Sequence, residues 1–296
     1  KKYLCLAGGV ALNCVANGKI LKENIFEDIF IQPAAGDSGG ALGAALCVWY
    51  RVLQNKRSVK NKKDIMKGAF LGPVFSDKEI EQYLKEQKAV YQKLNISQVP
   101  ALAAKLIHEN KTVGWFQGKM EFGLRALGAR SILANAKDEK MHFILNMKIK
   151  NRENFRPFAP AVLAEDAAKY FDLKQISPYM LLTASVKKTR LKKTKKENAL
   201  KAGFDMLKVI RSDIPSVTHV DNSARIQTVH KETNPVFYNL LTALKKNYGY
   251  SVVINTSFNA KDEPIVCGPD DAYKCFQNTG LDYLIMGSYL IKKQEI

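Results

Sequence analysis

Residues Tyr3–Leu21 read YLCLAGGVALNCVANGKIL. Tyr3–Leu6 reads as a short buried strand, and Val10–Leu21 as a helix that starts just past Gly8 and Gly9. The pattern then recurs: Ile29–Gln32 reads as a second strand, and Ser38–Leu53, rich in small residues, as a second helix across QPAAGDSGGALGAA (32–45). Strand, glycine turn and helix, repeated once, indicate α/β layering. Lys1-Lys2 leads directly into the first strand, so the chain reads as one entered mid-domain.

Working outward, RSVKNKKDIMKG (57–68) is polar, charged and non-periodic, and reads as a linker. A new start follows at FSDKEI, where Ser76 and Glu79 have capping-box spacing and Phe75 and Ile80 that of a hydrophobic staple. Helices are expected at 76–88, 99–110, 138–148, 235–247 and 269–278. Strands are expected at 112–117, 130–134, 158–163, 179–186, 215–221, 225–229, 250–255 and 283–292. No internal repeat is visible. The division is a short α/β piece, 1–65, and a second α/β domain, 66–296.

Composition sets further bounds. With 46% hydrophobic and 25% charged residues, the chain is of the ordinary globular kind. No apolar run reaches the roughly 18 residues of a membrane span, and no signal peptide opens the chain. Cys5, Cys14, Cys47, Cys267 and Cys275 lack CxxC spacing and read as reduced thiols in the cytoplasm, each a small buried hydrophobe. The net charge of +18 suits phosphorylated substrates, nucleic acid or simply a genome that favours lysine. Its densest runs, KNKK (60–63) and KKTRLKKTKK (187–196), lack interleaved aromatics and read as solvated loops.

Several loops that abut expected strands carry candidate chemistry. GWFQGKMEFGLRALGARSIL (114–133) sets Arg125 and Arg130 among glycines, planar forks suited to phosphate on a backbone that can approach a ligand. No GK[ST] follows, so it is not a P-loop. IKNRENFRPFAPAV (149–162) adds Lys150, Arg152 and Arg156, HVDNSARIQTV (219–229) adds His219, Asp221 and Arg225, and INTSFNAKDEPIV (254–266) offers short polar side chains at a strand end. Together they suggest one anion-binding cleft. Asp37 either caps the second helix or reaches a metal or Mg-nucleotide. His108, His142, His219 and His230 show no paired ligand spacing and read as surface or satisfied histidines.

In this order LCLAGGVALNCVANGKI, QPAAGDSGGALGAAL, FLGPVFSD, GWFQGKMEFGLRALGARSIL, FRPFAPAV, THVDNSARIQTV and NTSFNAKDEPIV resemble the NodU/CmcH family of O-carbamoyltransferases, over nearly the whole chain. The resemblance implies that 1–65 is the last part of an actin/hexokinase-like (Kae-type) ATPase domain, similar to the tRNA threonylcarbamoyl transferase. It implies that 66–296 is a YrdC-like α/β domain with a twisted mixed sheet. The implied activity joins carbamoyl phosphate and ATP, with Mg²⁺, into carbamoyl adenylate, then passes the carbamoyl group to a hydroxyl of a small-molecule acceptor. Iron or another divalent metal is implied for the complete enzyme.

Carried over position by position, the resemblance puts Asp37 on a metal-ligand aspartate and Gly8, Gly9 and Asn13 on the nucleotide-side loop. It puts Arg125, Lys150, Arg156 and Arg225 on basic positions that hold carbamoyl phosphate and nucleotide phosphates. Lys150 and Arg152 match a KxR element, and Asn255, Ser257 and Asn259 fall in the loop expected to line the adenylate. Lys119, Leu124 and Lys261-Asp262 depart from the usual arginine, proline and Arg-Gly. The histidine-bearing N-terminal part implied by the family is not in this sequence, so a separately encoded N-terminal half is an expected partner. Two other readings stand beside this one: an RNA- or nucleotide-binding YrdC-like module, and an inactive fragment of a split gene. Membrane association is not expected, and nucleic acid is the less favoured partner.

Overall fold

The computed structural model describes residues 1–58, 64–193 and 203–294. At the N-terminus, β1 (Tyr3–Leu6), α1 (Cys14–Lys22), β2 (Asp28–Ile31) and α2 (Asp37–Cys47) form the expected repeat. β1 and β2 pair in parallel from Tyr3↔Asp28 to Leu6↔Ile31. The first helix begins later than the apolar pattern implies. Gly9–Leu12 makes a 3₁₀ turn, and Asn13 then caps α1, its Oδ1 accepting from the Ala16 N–H at 3.0 Å. A side chain at Gly18 would begin 2.4 Å from the Thr183 carbonyl, so glycine is what lets α1 press against that later segment. Ala11, Ile29, Ile31 and Ala35 share an apolar cluster with Leu181 and Leu182. α2 buries none of its residues, and Phe30 and Trp49 are also exposed.

The remainder is built on α3 (Asp77–Glu86), β3 (Gln92–Lys93), α4 (Val99–His108), β4 (Val113–Phe116), β5 (Arg130–Asn135), α5 (Met141–Ile144), β6 (Ala159–Leu163), α6 (Ala167–Tyr170), β7 (Thr183–Ser185), β8 (Ser223–Arg225), β9 (Gln227–Val229), α7 (Pro235–Tyr248), β10 (Val252–Ser257), α8 (Pro269–Asn278), β11 (Tyr283–Met286) and β12 (Tyr289–Lys292). Eight strands make one sheet in the order β3-β12-β11-β4-β5-β10-β6-β9. The sheet is mixed: β4 runs parallel to β11 and β6 to β9, while the other pairs are antiparallel. Every residue of β4, β5 and β6 is buried, which requires cover on both faces. Helices α4 with α7 and α3 with α8 pack as pairs. Trp115, Phe237, Phe258 and Phe276 fill the core, each contributing about 1.5–3 kcal/mol by burial. The capping box forms at α3, with Ser76 Oγ accepting from the Glu79 N–H and Glu79 accepting from the Ser76 N–H.

Several expectations are corrected. Residues 215–221 are not a strand: Pro215 opens a 3₁₀ turn, and Asn222 follows at φ 63°. In 179–186 the strand is confined to Thr183–Ser185, with Val186 bridging Phe171, and Met180 at φ 55° breaks the extended run before it. Residues 283–292 are two antiparallel strands turning at Gly287. The expected helices at 38–53 and 138–148 each end in a π turn, at Val48–Val52 and Leu145–Ile149. Cys275 is buried, but Cys5 and Cys47 are exposed on N-terminal elements whose outer faces are uncovered. Of the charged runs, 60–63 and 194–196 lie outside the described residues. Arg190, within the second run, pairs with Asp213 at 2.6 Å rather than standing free in solvent.

Candidate functional site

The glycine-rich segment between β4 and β5 folds around its only acid. Glu121 is buried and accepts from the N–H groups of Leu127 (2.6 Å), Ala129 (2.8 Å) and Arg130 (3.1 Å). Burial pushes its pKa up, and those backbone bonds oppose the shift. Asn255 Nδ2 and Gln227 Nε2 hold the carbonyls of Ala126 and Leu127, and Trp115 Nε1 holds that of Gly128. The loop is therefore a fixed object, tied to β4, β9 and β10.

Arg130 belongs to this scaffold, which corrects its expected role as a phosphate fork. It is 0% exposed. Its Nε donates to the Cys267 carbonyl, Nη1 to those of Gln117 and Gly118, and Nη2 to that of Pro73. The guanidinium lies 3.6 Å from the Phe116 ring centroid. Burial lowers its pKa to about 10, against the favourable charge of Glu121.

Arg125 points out of the same loop toward the N-terminal elements. Its Nη2 donates to the Leu12 carbonyl at 3.4 Å, and its Nε is buried with no protein partner. Arg225, at the end of β8, lies beside it and faces the Cys14 thiol at the start of α1. Burial first, then the positive field of Arg125 and more weakly of Arg152, disfavours the Arg225 charge, while Cys14 favours it. Arg152 is half-buried, with Nε on Asn146 Oδ1 at 2.8 Å and its plane 5.1 Å from the Phe158 ring centroid. Its pKa too is lowered by burial, and then by Arg156. Among the described residues no carboxylate forms an ion pair with Arg125, Arg152 or Arg225. A guanidinium removed from water in the positive field of two others, with Glu153 offsetting only the Arg152 charge in part, forms a place that an oxyanion stabilises.

The other candidates are placed differently. Lys150 is 3% exposed, and its Nζ donates to the Ser257 carbonyl at 2.5 Å, the Asn259 carbonyl at 2.9 Å and Asn259 Oδ1 at 2.6 Å, with Ser257 Oγ at 3.2 Å. Its ammonium is thus spent on the loop after β10, and burial lowers its pKa to about 7. Arg156 is exposed and pairs with Glu153 at 3.1 Å, at the outer edge of the cluster. Asn255 is fully buried within the sheet and bonded to Gln227. Gly8 and Gly9 face open space, next to the cap Asn13.

Asp37 is exposed at the first turn of α2. Among the described residues no group of three or more His, Cys, Asp and Glu side chains could hold a metal. One carboxylate is not a ligand set for iron or zinc, so these residues do not fit a resident transition metal.

Sequence reading put His219 with the cleft loops but read His142 only as a surface or satisfied histidine, and gave Asn146 no role; the fold sets all three beside the arginines. His142 Nε2 lies 3.0 Å from the Arg156 carbonyl, and its ring meets Phe158 edge-on. His219 bonds the Phe158 backbone, with Nδ1 3.2 Å from Ser223 Oγ. Burial lowers both pKa values, with nearby arginines adding to it. No spacing pattern joins residues 14, 142, 146 and 219; only the fold does.

Two family models match the sequence: "Carbamoyltransferase C-terminus" over residues 104–293 and "Carbamoyltransferase N-terminus" over residues 1–46. The chain belongs to the carbamoyltransferase family. Among its relatives is an uncharacterized protein of Synechocystis sp., 53% identical over 98% of this chain and 47% of that protein. Nodulation protein NolNO of Sinorhizobium fredii is 40% identical over 99% of this chain and 40% of its own length. A 3'-hydroxymethylcephem-O-carbamoyltransferase of Streptomyces clavuligerus is 28% identical over 96% of this chain and 47% of its own. The chain thus spans about half the length of the curated relatives it matches. No helix among the described residues is long and apolar enough to cross a membrane.

Proposed function

We propose that this chain is the carbamoyl-activating portion of an O-carbamoyltransferase. On this reading Arg125, Arg152 and Arg225 hold the phosphates of carbamoyl phosphate and Mg-ATP. Water first takes the phosphoryl group of carbamoyl phosphate, giving carbamate and inorganic phosphate; a carbamate oxygen then attacks the α-phosphorus of ATP, forming carbamoyl adenylate and releasing pyrophosphate. The hydroxyl of a small molecule then attacks the carbamoyl carbon and loses its proton, forming the O-carbamate as AMP leaves. Residues 66–296 would be the YrdC-like domain, and 1–65 the end of an ATPase-like domain.

One observation carries the proposal: the buried Arg225 guanidinium lies in the positive field of both Arg125 and Arg152, and among the described residues none of the three forms an ion pair with a carboxylate. Fixed cations act where charge concentrates in phosphoryl transfer, and cost no reorganisation at the moment of reaction. Lys150 contributes indirectly, by holding Ser257 and Asn259 in the loop proposed to line the adenylate. No step is routed through a metal at Asp37. Carbamoyl-phosphate-dependent exchange of labelled pyrophosphate into ATP tests the proposal. Exchange is expected, and Arg225→Ala is expected to reduce it about 10²–10³-fold. Folded protein without exchange overturns it.

A further inference from the structure

We infer that Asn146 is a positioning residue that aims the Arg152 fork at a phosphate group. The inference rests on reading the arginine cluster as an oxyanion site. Asn146 sits in the π turn after α5, 0% exposed, where a carboxamide must find partners or cost stability. Both ends are used. Oδ1 accepts from Arg152 Nε at 2.8 Å, while Nδ2 donates to the Arg156 carbonyl at 3.0 Å and, more weakly, to the Asn154 carbonyl at 3.4 Å. The Asn146 carbonyl also accepts from the Arg152 N–H at 3.0 Å. One buried amide therefore fixes the backbone on both sides of the 152–156 turn and the side chain that leaves it.

The consequence lies in what remains free. The Nε bond to Asn146 and the nearby Phe158 ring restrain the Arg152 guanidinium, yet neither Nη1 nor Nη2 has a protein hydrogen-bond partner among the described residues. Two parallel N–H groups, restrained and unspent, match the paired oxygens of a phosphate. An arginine paired through Nη to a carboxylate would be neutralised; one anchored through Nε to a neutral amide keeps its full charge for the ligand. A neutral partner is required here because a carboxylate at 146 would cancel the charge it orients.

A double-mutant cycle read by pyrophosphate affinity tests this. Arg152→Ala is expected to weaken binding at least tenfold, and Asn146→Ala about tenfold. In the Arg152→Ala background, Asn146→Ala is expected to change affinity less than twofold, because it acts through the missing fork. Equal losses in both backgrounds, or no loss from Asn146→Ala alone, overturn the inference. If Arg152→Ala leaves pyrophosphate affinity unchanged, the oxyanion reading of that residue fails instead. A second measurement needs no variant: in ¹⁵N-resolved spectra of the wild-type chain, the Arg152 Nε–H should exchange slowly with and without pyrophosphate, while the terminal N–H groups respond to pyrophosphate. A freely exchanging Nε–H overturns it.

Discussion

Lys150→Met should change how stability depends on pH, with a sign fixed by burial. The folded-state pKa is about 7, below the ordinary 10.5, so the unfolded chain binds more protons than the native one between those values. Stability therefore rises with pH through this window. Below about pH 7 the full penalty of burying the ammonium is present, on the order of 5 kcal/mol from 1.36 kcal/mol per pH unit. Above about pH 10.5 it is gone. From pH 7 to 9.5 the wild-type chain should gain about 3 kcal/mol relative to Lys150→Met, which lacks the titrating group. The variant also loses the donor to Ser257 and Asn259, a cost that does not vary with pH in this range and drops out of the comparison. Urea unfolding of both proteins at pH 7, 8.25 and 9.5 reads the difference directly. Parallel stability profiles would refute the reasoning, and a wild-type protein that loses stability relative to the variant as pH rises would reverse it.

Three further outcomes are expected. Arg225→Gln should leave the unliganded melting temperature unchanged or raised, since it relieves repulsion from Arg125 and Arg152, while abolishing most of the stabilisation that pyrophosphate gives the wild-type chain in the same melt. Gly128→Ala should destabilise by more than about 3 kcal/mol in chemical unfolding, because Gly128 has φ 103° and an added Cβ would lie 2.2 Å from the Phe237 ring. Arg156→Ala should alter stability by less than about 1 kcal/mol, since it breaks only an exposed pair with Glu153; a loss of exchange activity with intact stability would then mark Arg156 as a ligand contact.

The element types were largely legible because periodicity and caps are local. The β1-α1-β2-α2 repeat, the Ser76–Glu79 box and the buried strands β4 and β6 follow from residue order alone. Tertiary context decided the failures, as at Pro215, where a β-like run is held as a turn, and at Gly287, where one long apolar run folds back on itself. The arginines show the same division. Sequence identifies Arg125 and Arg130 as equivalent forks five residues apart, but only the fold reveals that Arg130 is consumed by carbonyls while Arg125 reaches the N-terminal segment. Lys150 and Arg152, two residues apart, likewise part company, one bound into the loop after β10 and the other toward Arg225. Asn146 and Cys14 carried no readable signal, since their significance lies entirely in which arginine each one faces.

The most direct measurement is a structure of the chain crystallised with pyrophosphate. One phosphate group should lie within hydrogen-bonding distance of the free Arg152 nitrogens and of Arg225, with Arg125 beside it. Pyrophosphate bound elsewhere, with those guanidinium groups turned away from it, would contradict the account.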